Sequence, residues 1–290
     1  MKAMRVRELY LRGKQQLADA GIDTAALDAS LLLEQLSGWD RTAQLMHGDD
    51  PAPQSWIAPF HAQIARRAAG EPLQYLLGAW PFMAHSFAVG LGVLIPRPET
   101  ELLVREALAF CGHRPCRIID LCAGSGAVGW SCAAALPDCT VTAVELSPDA
   151  LPYLHRNREA IAPEPQRTRI LQGDITRSET AEAAGVAEVI LSNPPYIPTD
   201  DLAGLQREVH REPRMALDGG ADGLDFYRAI LRIWRPMLTA GGLLAVECGI
   251  GQGAALADAF RAAGLRDVQI RPDFSGIDRV VRGIAPCAAE

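Results

Sequence analysis

The chain has 290 residues, of which 49% are hydrophobic and 22% are charged. This composition excludes a disordered protein, because enough apolar surface is available for the core of a large domain and a smaller one. The net charge of −7 argues against tight, sequence-independent binding to nucleic-acid phosphates, which requires a basic surface. No apolar run reaches the ~18 residues that a membrane span requires, so we expect a cytoplasmic protein whose cysteines are reduced.

Residues 1–72 are predicted to form a small helical domain. Apolar residues recur at helical spacing in this region, and turn signals separate the helical segments. Asp23 is predicted to cap the second helix. The predicted helices run through Leu9 and Leu17, from Ala25 to Leu36, and from Trp56 to Ala69.

Residues 73–96 have a different pattern, in which glycines and a proline interrupt short aromatic and β-branched runs. Such runs predict an extended or hairpin connector rather than a helix. After the connector, Thr100 is predicted to cap a helix that begins at Glu101, because an acidic residue in the first turn interacts favourably with the helix dipole.

From residue 117 onward, strand patterns alternate with helix patterns. This alternation predicts parallel β-α units in a doubly wound sheet, and the last two strands, which no helix separates, should pair antiparallel. We therefore predict an α/β domain over residues 97–290 with a mostly parallel, seven-stranded sheet. The predicted strands are 117–121, 140–146, 169–172, 186–191, 243–248, 268–271 and 279–282. The predicted helices are 127–136, 148–160, 226–238 and 254–263.

A glycine-rich loop, DLCAGSG at residues 120–126, follows the first of these strands. Glycines let backbone N–H groups approach a ligand closely, and the helix N-terminus behind the loop attracts negative charge. Residues 124–129 also fit the dinucleotide pattern G-x-G-x-x-G, so a nicotinamide-dependent dehydrogenase is one alternative.

Two acidic residues end the next two strands. Glu145 could accept hydrogen bonds from both hydroxyls of a ribose, and Asp174 could meet an adenine edge. Taken singly, Glu145 could equally cap the following helix, and Asp174 could be a solvated turn residue. The three strand ends together favour a nucleoside pocket, because the carboxyl ends of parallel strands meet at one edge of the sheet.

The fourth strand ends in Asn193-Pro194-Pro195-Tyr196. Prolines fix their own backbone and restrict the preceding residue, so Asn193 Oδ1 and the Pro194 carbonyl can be held as two neighbouring acceptors. Two such acceptors fit one planar amino group and stabilise the positive charge that develops as its nitrogen attacks an electrophile. Tyr196 supplies an apolar face against which a flat group can pack. The alternative is a strand end followed by an ordinary proline turn.

These motifs resemble those of the class I S-adenosylmethionine-dependent methyltransferases that methylate planar nitrogens, whose sheet is Rossmann-like. Further motifs narrow the resemblance to the peptide chain release factor glutamine N5-methyltransferases of the HemK/PrmC type, along nearly the whole chain. These motifs are Pro96-Arg97-Pro98-Glu99-Thr100-Glu101, Glu212-Pro213 with Ala216-Leu217 and Gly219-Gly220, Asp222-Gly223-Leu224, and Glu247 with Gly249 and Gln252. Cys122 departs from the general pattern D-x-G-x-G-x-G, which has its first glycine at this position.

The resemblance implies methyl transfer from S-adenosyl-L-methionine, with S-adenosyl-L-homocysteine as product, to the side-chain amide nitrogen of a glutamine. That glutamine lies in the Gly-Gly-Gln motif of a release factor, so the activity would modulate translation termination. The cofactor residues that it implies are Asp120, Cys122, Ala123, Gly124, Ser125, Gly126, Glu145, Asp174, Ile175 and Asn193. It implies Asn193, Pro194 and Tyr196 as catalytic residues, and Asn193, Pro194, Pro195, Tyr196, Arg97 and Glu99 as substrate-binding residues.

The expected partner is the release factor itself, and we expect a monomer with no stable nucleic-acid partner and no membrane. All the nucleoside-type motifs lie after residue 95, so the N-terminal helical domain is predicted to recognise the substrate protein. Cys111 and Cys116 flank a short loop that could suggest a metal site, but no second ligand pair has a matching spacing, so we expect no metal.

Two other interpretations of the motifs remain. Adenine-N6 methylation of DNA or RNA uses the same Asn-Pro-Pro-Tyr chemistry, but the acidic net charge and the lack of a long basic stretch weaken it. A dehydrogenase or a noncatalytic nucleotide-binding protein would fit the glycine-rich loop alone. Residues 193–196 weaken this second interpretation, because hydride transfer has no use for paired acceptors around an amino group.

Overall fold

The computed structural model describes residues 3–287, so residues 1–2 and 288–290 of the predicted domains lie outside the described part. The chain divides into two compact units, which are described separately. Unit 1 comprises the residues up to Ala79 together with Gln206–Arg211, and unit 2 comprises Trp80–Leu205 and the residues from Glu212 onward. Among the described residues, no helix combines the length and the apolar character needed to cross a membrane.

Unit 1 is helical, and its helices share one apolar core in which Leu9, Leu32 and Phe60 are completely buried. Gly13 lets two of the helices approach closely, because a Cβ at this position would lie 2.6 Å from the Phe60 ring. The helices are α1 (Val6–Asp19), α2 (Ala25–Ser37), α3 (Arg41–Met46), α4 (Gln54–Ala68) and α5 (Leu73–Leu77).

A buried ion pair joins the segment Gln206–Arg211 to the helices of unit 1. Arg67 Nε donates to Asp28 Oδ2 at 2.7 Å, and Arg67 Nη1 lies 2.7 Å from Glu208 Oε2. The Arg67 and Asp28 side chains are both buried. Because a buried charge without its partner is costly, loss of either side chain would destabilise this unit strongly.

The three predicted helices of this region are confirmed as α1, α2 and α4, each within a few residues of the predicted bounds. The prediction of an extended connector is wrong at its start, because Leu73–Leu77 is a helix that begins after Pro72 and ends at Gly78 in a left-handed conformation. Asp23 does not cap α2, since Thr24 occupies the cap position and makes no side-chain capping bond. Helix α3 was not predicted from the sequence.

A two-stranded hairpin, β1 (Ala79–Phe82) and β2 (His85–Ala88), precedes the large sheet and confirms the hairpin predicted within the connector. The strands of the large sheet are β3 (Arg117–Leu121), β4 (Thr140–Glu145), β5 (Thr168–Gln172), β6 (Ala187–Ser192), β7 (Leu238–Glu247), β8 (Arg266–Pro272) and β9 (Asp278–Ile284). The helices of unit 2 are α6 (Glu101–Cys111), α7 (Ala127–Ala135), α8 (Leu151–Ile161), α9 (Ser178–Ala184), α10 (Asp225–Ala229) and α11 (Gly253–Ala262).

The seven strands lie in the order β5-β4-β3-β6-β7-β9-β8, and the predicted doubly wound, mostly parallel sheet is confirmed. Strands β3 to β7 pair parallel with one another, whereas β9 pairs antiparallel with both β7 and β8, as predicted. After β5, the chain returns to the other side of β3 to form β6. The order of the strands therefore reverses between β3 and β6, which is where open α/β sheets bind their ligands.

Apolar side chains cover both faces of this sheet. Successive side chains of a strand point to opposite faces, so Ile118 packs in one apolar cluster with Leu103 and Trp130, and Ile119 packs in another with Trp234 and Phe260. The middle positions of β3, β6 and β7 are therefore apolar, and polar residues lie at or after the ends of these strands.

Several boundaries differ from the sequence predictions. Strand β7 begins at Leu238, five residues before the predicted start, because Leu238 already pairs with Ala187 of β6. The pairing then shifts register before Leu243, and Gly241 has a φ of 73° within this irregular stretch. The predicted helix 226–238 is confirmed only in part: α10 continues as one π-helical turn over Ile230–Trp234 and a short 3-10 turn. Helix α9 was not predicted.

Candidate active site

A cavity of about 950 Å³ opens at the carboxyl ends of β3, β4, β5 and β6. This volume includes the part of the site that is open to solvent, and it leaves room for a nucleoside-type molecule with a side chain beside it. Residues that line it after these strands are Asp120, Cys122, Ala123, Gly124, Ser125, Glu145, Asp174, Ile175, Asn193 and Pro195.

Two glycines of the loop after β3 have different structural roles. Gly124 has a φ of 55°, and a Cβ there would face open space, since Val93 is the one described residue with an atom within 4 Å. Gly126 has a φ of 82°, and a Cβ there would lie 2.1 Å from Trp130 Nε1. Gly124 therefore leaves room at the cavity wall, whereas Gly126 lets the loop pack against the first turns of α7 and α8.

Cys122 adopts a left-handed conformation with a φ of 58°, in the position where the family pattern has glycine. L residues with a side chain pay a steric cost of about 1–2 kcal/mol in this region. Burial raises the pKa of the Cys122 thiol well above its usual value, and the nearby Glu145 carboxylate raises it further. The residue therefore presents a protonated, neutral thiol to the cavity wall.

Glu145 organises the glycine-rich loop from the end of β4. Its Oε2 accepts a hydrogen bond from Gly124 N at 2.7 Å, and its Oε1 accepts one from Ser147 N at 2.7 Å. These partners precede α8, so Glu145 does not cap that helix. The carboxylate has two oxygens with further lone pairs, which leaves acceptor capacity for a ligand in the cavity.

Asp120 lies behind the loop at the end of β3 and is almost completely buried. Its Oδ2 accepts a hydrogen bond from Gly129 N in α7 at 2.9 Å. Burial raises the pKa of Asp120 to about 7, although the bond from Gly129 lowers it and the charge of Glu145 adds to the increase. Asp120 holds the start of α7 against the strand.

Asp174 and Ile175 form the wall of the cavity after β5. Asp174 Oδ1 accepts hydrogen bonds from Thr176 N at 2.8 Å and Thr176 Oγ1 at 2.7 Å, as in a turn. Its other oxygen lies 3.9 Å from Arg177 Nε. The Ile175 carbonyl accepts a hydrogen bond from Trp234 Nε1 at 2.8 Å, which anchors this wall to the second apolar cluster.

Asn193 follows β6 and lines the same cavity. Its Nδ2 donates to Thr100 Oγ1 at 3.2 Å, and Thr100 Oγ1 donates to Glu247 Oε2 at 2.6 Å. Thr100 therefore does not cap α6 as predicted, because its hydroxyl is bound to the carboxylate at the end of β7. With the amide nitrogen of Asn193 bound to Thr100, its oxygen is available to a group in the cavity.

Small residues allow tight packing around the backbone of residues 193–196. A Cβ at Gly219 would lie 2.8 Å from Tyr196 Cα, and a Cβ at Gly223 would lie 2.3 Å from the Tyr196 carbonyl oxygen. That carbonyl also accepts a hydrogen bond from Gln252 Nε2 at 2.9 Å. The glycine motifs that the sequence analysis noted after residue 218 thus hold the proline segment rigid.

Five residues assigned to the site are not among those that line the cavity. Gly126 packs against Trp130, and Pro194 is buried in the segment itself. Tyr196 is partly buried, and its hydroxyl donates to Glu247 Oε1 at 3.3 Å. Arg97 forms an ion pair with Glu212, and Glu99 lies 3.9 Å from Arg279 Nη2 beside a second cavity.

The structure also brings residues to the cavity that the sequence analysis did not assign to it. Ser147 follows β4, Phe226 belongs to α10, and Met215 lies in a short 3-10 turn, Arg214–Ala216, before that helix. Thr100 also lines the cavity, although the sequence analysis interpreted it as a helix cap. The motif at residues 96–101 was the only sequence signal that connected it with the site. The other members of this set are Gly92, Val93, Leu94, Pro96, Ala127, Val128, Val144, Leu146, Ala150, Gly173, Pro213 and Ala216.

The cysteines of the predicted loop lie at the opposite end of the sheet, before β3. Cys139 joins Cys111 and Cys116, with the three sulfur atoms within 4.8 Å of one another, and all three residues are buried. Burial raises the pKa of the Cys111 and Cys139 thiols. Protonated thiols pack as small apolar groups, and all three belong to the first apolar cluster.

The sheet order, the glycine-rich loop after β3 and the cavity at the strand ends define a class I methyltransferase fold. The same fold is found in the crystal structure of the hMettl16 catalytic domain in complex with MAT2A 3′UTR hairpin 1, with a TM-score of 0.56 at 17% sequence identity. The match covers 79% of this chain and 84% of that chain. At this identity the likeness shows the fold alone.

Sequence comparison identifies the family. Residues 8–78 match the PrmC N-terminal domain, and residues 99–217 match the methyltransferase small domain. The release factor glutamine methyltransferase of Geobacter sulfurreducens is 41% identical over 92% of this chain and 92% of its own. That of Bordetella pertussis is 40% identical over 93% of this chain and 98% of its own. The chain belongs to the release factor glutamine methyltransferase family, which confirms the resemblance seen in its motifs.

Proposed function

We propose that this protein transfers a methyl group from S-adenosyl-L-methionine to the side-chain amide nitrogen of the glutamine in the Gly-Gly-Gln motif of a peptide chain release factor. The observation that carries the proposal is the position of Asn193, whose amide nitrogen is bound to Thr100 while its oxygen is available at the cavity. Such an acceptor suits a substrate that offers a planar NH2 group. The family relationship supports the choice of a glutamine amide.

The residues present fit the cofactor. The open space next to Gly124 admits a ligand that a Cβ would obstruct, and Glu145 has acceptor capacity for ribose hydroxyls. Asp174 and Ile175 would flank the adenine, and the loop 120–126 would hold the methionine part. When bound, S-adenosylmethionine supplies the electrophilic methyl carbon and leaves as S-adenosylhomocysteine.

The substrate amide would be held by two acceptors of the proline segment. In this interpretation, one N–H of the glutamine donates to Asn193 Oδ1 and the other to the Pro194 carbonyl, while Tyr196 packs against the flat amide. An amide nitrogen is a poor nucleophile, so orientation and stabilisation of its growing positive charge are the main contributions of the protein. No strong general base is needed, because the proton can leave after the methyl group has been transferred.

Recognition of the release factor beyond its glutamine is assigned to parts of the chain outside the cofactor cavity. We infer that the helical domain, predicted over residues 1–72, binds the body of the release factor, because the residues that line the cavity all lie after residue 91. Arg97 and Glu99 are proposed to contact the substrate near the cavity. We expect the protein to act as a monomer and without a metal.

The experiment is methylation of a purified release factor, analysed by mass spectrometry of the peptide that contains Gly-Gly-Gln. We expect a gain of one methyl group on the glutamine, dependent on S-adenosylmethionine, and no gain when NAD replaces it. A nucleic acid incubated in parallel should remain unmethylated. Methylation of adenine in that sample, with an unmodified release factor, would replace this proposal with the nucleic-acid alternative.

A further inference from the structure

Asn193 is the outer member of a buried chain of hydrogen bonds. Behind it lie Thr100 and Glu247, which are 4% and 2% exposed. Asn193 Nδ2 donates to Thr100 Oγ1, and Thr100 Oγ1 donates to Glu247 Oε2. Tyr196 Oη donates to the second carboxylate oxygen at 3.3 Å. One oxygen of Glu247 is therefore bound by Thr100, which contacts Asn193, and the other by Tyr196, which the proposed function places against the substrate.

The ionised carboxylate of Glu247 determines which group donates and which accepts in each of these hydrogen bonds. An ionised carboxylate only accepts hydrogen bonds, so the single proton of the Thr100 hydroxyl must point to Glu247. The oxygen of Thr100 can then only accept a hydrogen bond from Asn193, so the Asn193 amide must donate one from its NH2 group. The consequence is that Oδ1, rather than Nδ2, is presented to the cavity.

We propose that Thr100 and Glu247 are positioning residues that fix the orientation of the Asn193 amide, an inference that rests on the proposed function. The inverted amide would place its NH2 group against the NH2 group of the substrate. Two donors facing each other could neither orient the glutamine nor stabilise the positive charge on its nitrogen. An asparagine side chain is nearly symmetrical in shape, so packing alone would discriminate weakly between its two orientations.

Protonation of Glu247 would leave the orientation of the Asn193 amide undetermined. A carboxylic acid donates one hydrogen bond, so the Thr100 hydroxyl could turn and donate to Asn193 Oδ1, which favours the inverted amide. Burial raises the pKa of Glu247 to about 7, while the hydrogen bonds from Thr100 and Tyr196 act in the opposite direction. The titratable and charged groups that face Glu247 from the surrounding elements are Glu99, Arg279, Tyr196, Tyr227 and Cys248.

Single-turnover methylation of a release factor at saturating S-adenosylmethionine tests the role of the hydroxyl. Thr100→Val removes the hydroxyl at nearly constant volume and should slow the reaction about tenfold or more. Thr100→Ser keeps the hydroxyl and should restore the rate to within about threefold. Thr168→Val is the matched control, because Thr168 is equally buried, bonds only backbone carbonyls, and lies at the start of β5 away from the cavity. It should leave the rate unchanged.

A double variant separates positioning from general damage to the site. If Thr100 acts through Asn193, Thr100→Val should add little further loss to Asn193→Ala, because the amide to be oriented is already absent. Fully additive losses would overturn the proposal. Cofactor affinity, measured by calorimetry, should change by less than about threefold in both Thr100 variants, since neither removes a group assigned to the cofactor.

The pH profile tests Glu247. The single-turnover rate of the wild-type protein should fall as the pH drops through about 7, because the ionised carboxylate is the form that orients the amide. Glu247→Gln keeps an acceptor for the Thr100 hydroxyl but cannot ionise, so its rate should lack this fall at acidic pH between 6 and 8.5. Tyr196→Phe, which removes the other hydroxyl bound to Glu247, should retain the fall. A fall that persists in Glu247→Gln would overturn the assignment.

Failure of the proposed function can be recognised separately. If the wild-type protein leaves the release factor unmethylated, the proposed function fails before any variant is compared, and the positioning role fails with it. If the wild-type protein methylates the factor and Thr100→Val does so at the same rate, only the positioning role is overturned.

Discussion

The side-chain amide of Asn193 has two different environments. Its nitrogen donates a hydrogen bond to Thr100, and its oxygen is available to a ligand. An acceptor in this position acts mainly in the transition state, when the substrate nitrogen becomes positive. It therefore contributes more to turnover than to cofactor binding.

We expect Asn193→Ala to lower turnover by about 10²-fold or more, because loss of one electrostatic partner in a catalytic site typically costs ~2.7–4 kcal/mol. Cofactor affinity should fall much less. Asn193→Asp keeps an acceptor but brings a negative charge that must be desolvated, so its activity should be partial and pH-sensitive. Single-turnover methylation by both variants checks this. A near wild-type rate for Asn193→Ala would show that residues 193–196 are an ordinary proline turn without a catalytic role.

Glu145 is expected to contribute through the cofactor rather than through the methyl transfer step. Glu145→Ala removes the proposed acceptor for the ribose, and loss of charge-assisted hydrogen bonds of this kind costs ~1.5–3 kcal/mol. S-adenosylmethionine affinity should fall about tenfold or more. The variant also loses the bonds to Gly124 N and Ser147 N, so its unfolding must be measured alongside calorimetry. Unchanged affinity in a folded variant would show that Glu145 does not bind the cofactor.

At the scale of elements, the strand–loop–helix unit of β3 and α7 shows two ways in which a glycine is required. Gly126 is confined by Trp130 and Leu154, whereas Gly124 borders open space. Both have a positive φ, so a substitution at either position pays a similar backbone cost. The difference between the two variants therefore measures what surrounds each residue.

Gly126→Ala should destabilise the protein by about 2–4 kcal/mol, because overpacking adds to the cost of the left-handed backbone. Gly124→Ala should cost only about 1 kcal/mol of stability. It should lower S-adenosylmethionine affinity instead, because its methyl group enters the cavity. Denaturant unfolding and calorimetry on the pair check this expectation. Gly21→Ala, at the end of α1 with nothing near the added methyl group, reports the backbone cost alone.

The N-terminal helical domain is predicted to bind the substrate protein rather than the cofactor. A chain that begins at Trp80 should bind S-adenosylmethionine with nearly the affinity of the full chain, since the cavity is lined by residues of unit 2. It should methylate the intact release factor far more slowly, while its rate on a short peptide with Gly-Gly-Gln should be little changed. An undiminished rate on the intact factor would contradict the prediction.

Asp120 gives the stability of the molecule a specific pH dependence. Its folded-state pKa of about 7 lies above the value of about 3.9 expected in the unfolded chain. The folded state therefore holds its proton more tightly, so this contribution to stability is complete below about pH 4 and is lost as the pH rises to about 7. In Asp120→Asn, which keeps an acceptor for Gly129 N, that loss should be absent.

The measurement is urea unfolding of both proteins between pH 4 and 8. The free energy of unfolding of the wild-type protein minus that of Asp120→Asn should fall over this range by up to about 4 kcal/mol, at 1.36 kcal/mol for each pH unit between the two pKa values. It should be level above pH 7. A difference that is independent of pH would show that Asp120 is not buried in the way described.

The fold class and the order of the main elements could be predicted from the sequence because they depend on local patterns. Alternating strand and helix periods allow only parallel β-α units, and the glycine-rich loop, Glu145 and Asn193 each follow a predicted strand. Ligand-facing residues that come directly after parallel strands meet at one edge whatever the details of packing. This is why most of the predicted cofactor residues line one cavity.

Contacts between residues that are far apart in the sequence could not be predicted and were seen only in the tertiary structure. Thr100 looked like a helix cap because only its neighbours in sequence were visible, yet its hydroxyl bonds a carboxylate 147 residues away. Gly219 and Gly223 carry no local signal for contact with Tyr196, and Gln206–Arg211 joins the N-terminal helices although more than 120 residues separate them. Such contacts depend on how the finished sheet and its loops pack in three dimensions, and hydrophobic periodicity along the chain does not encode that packing.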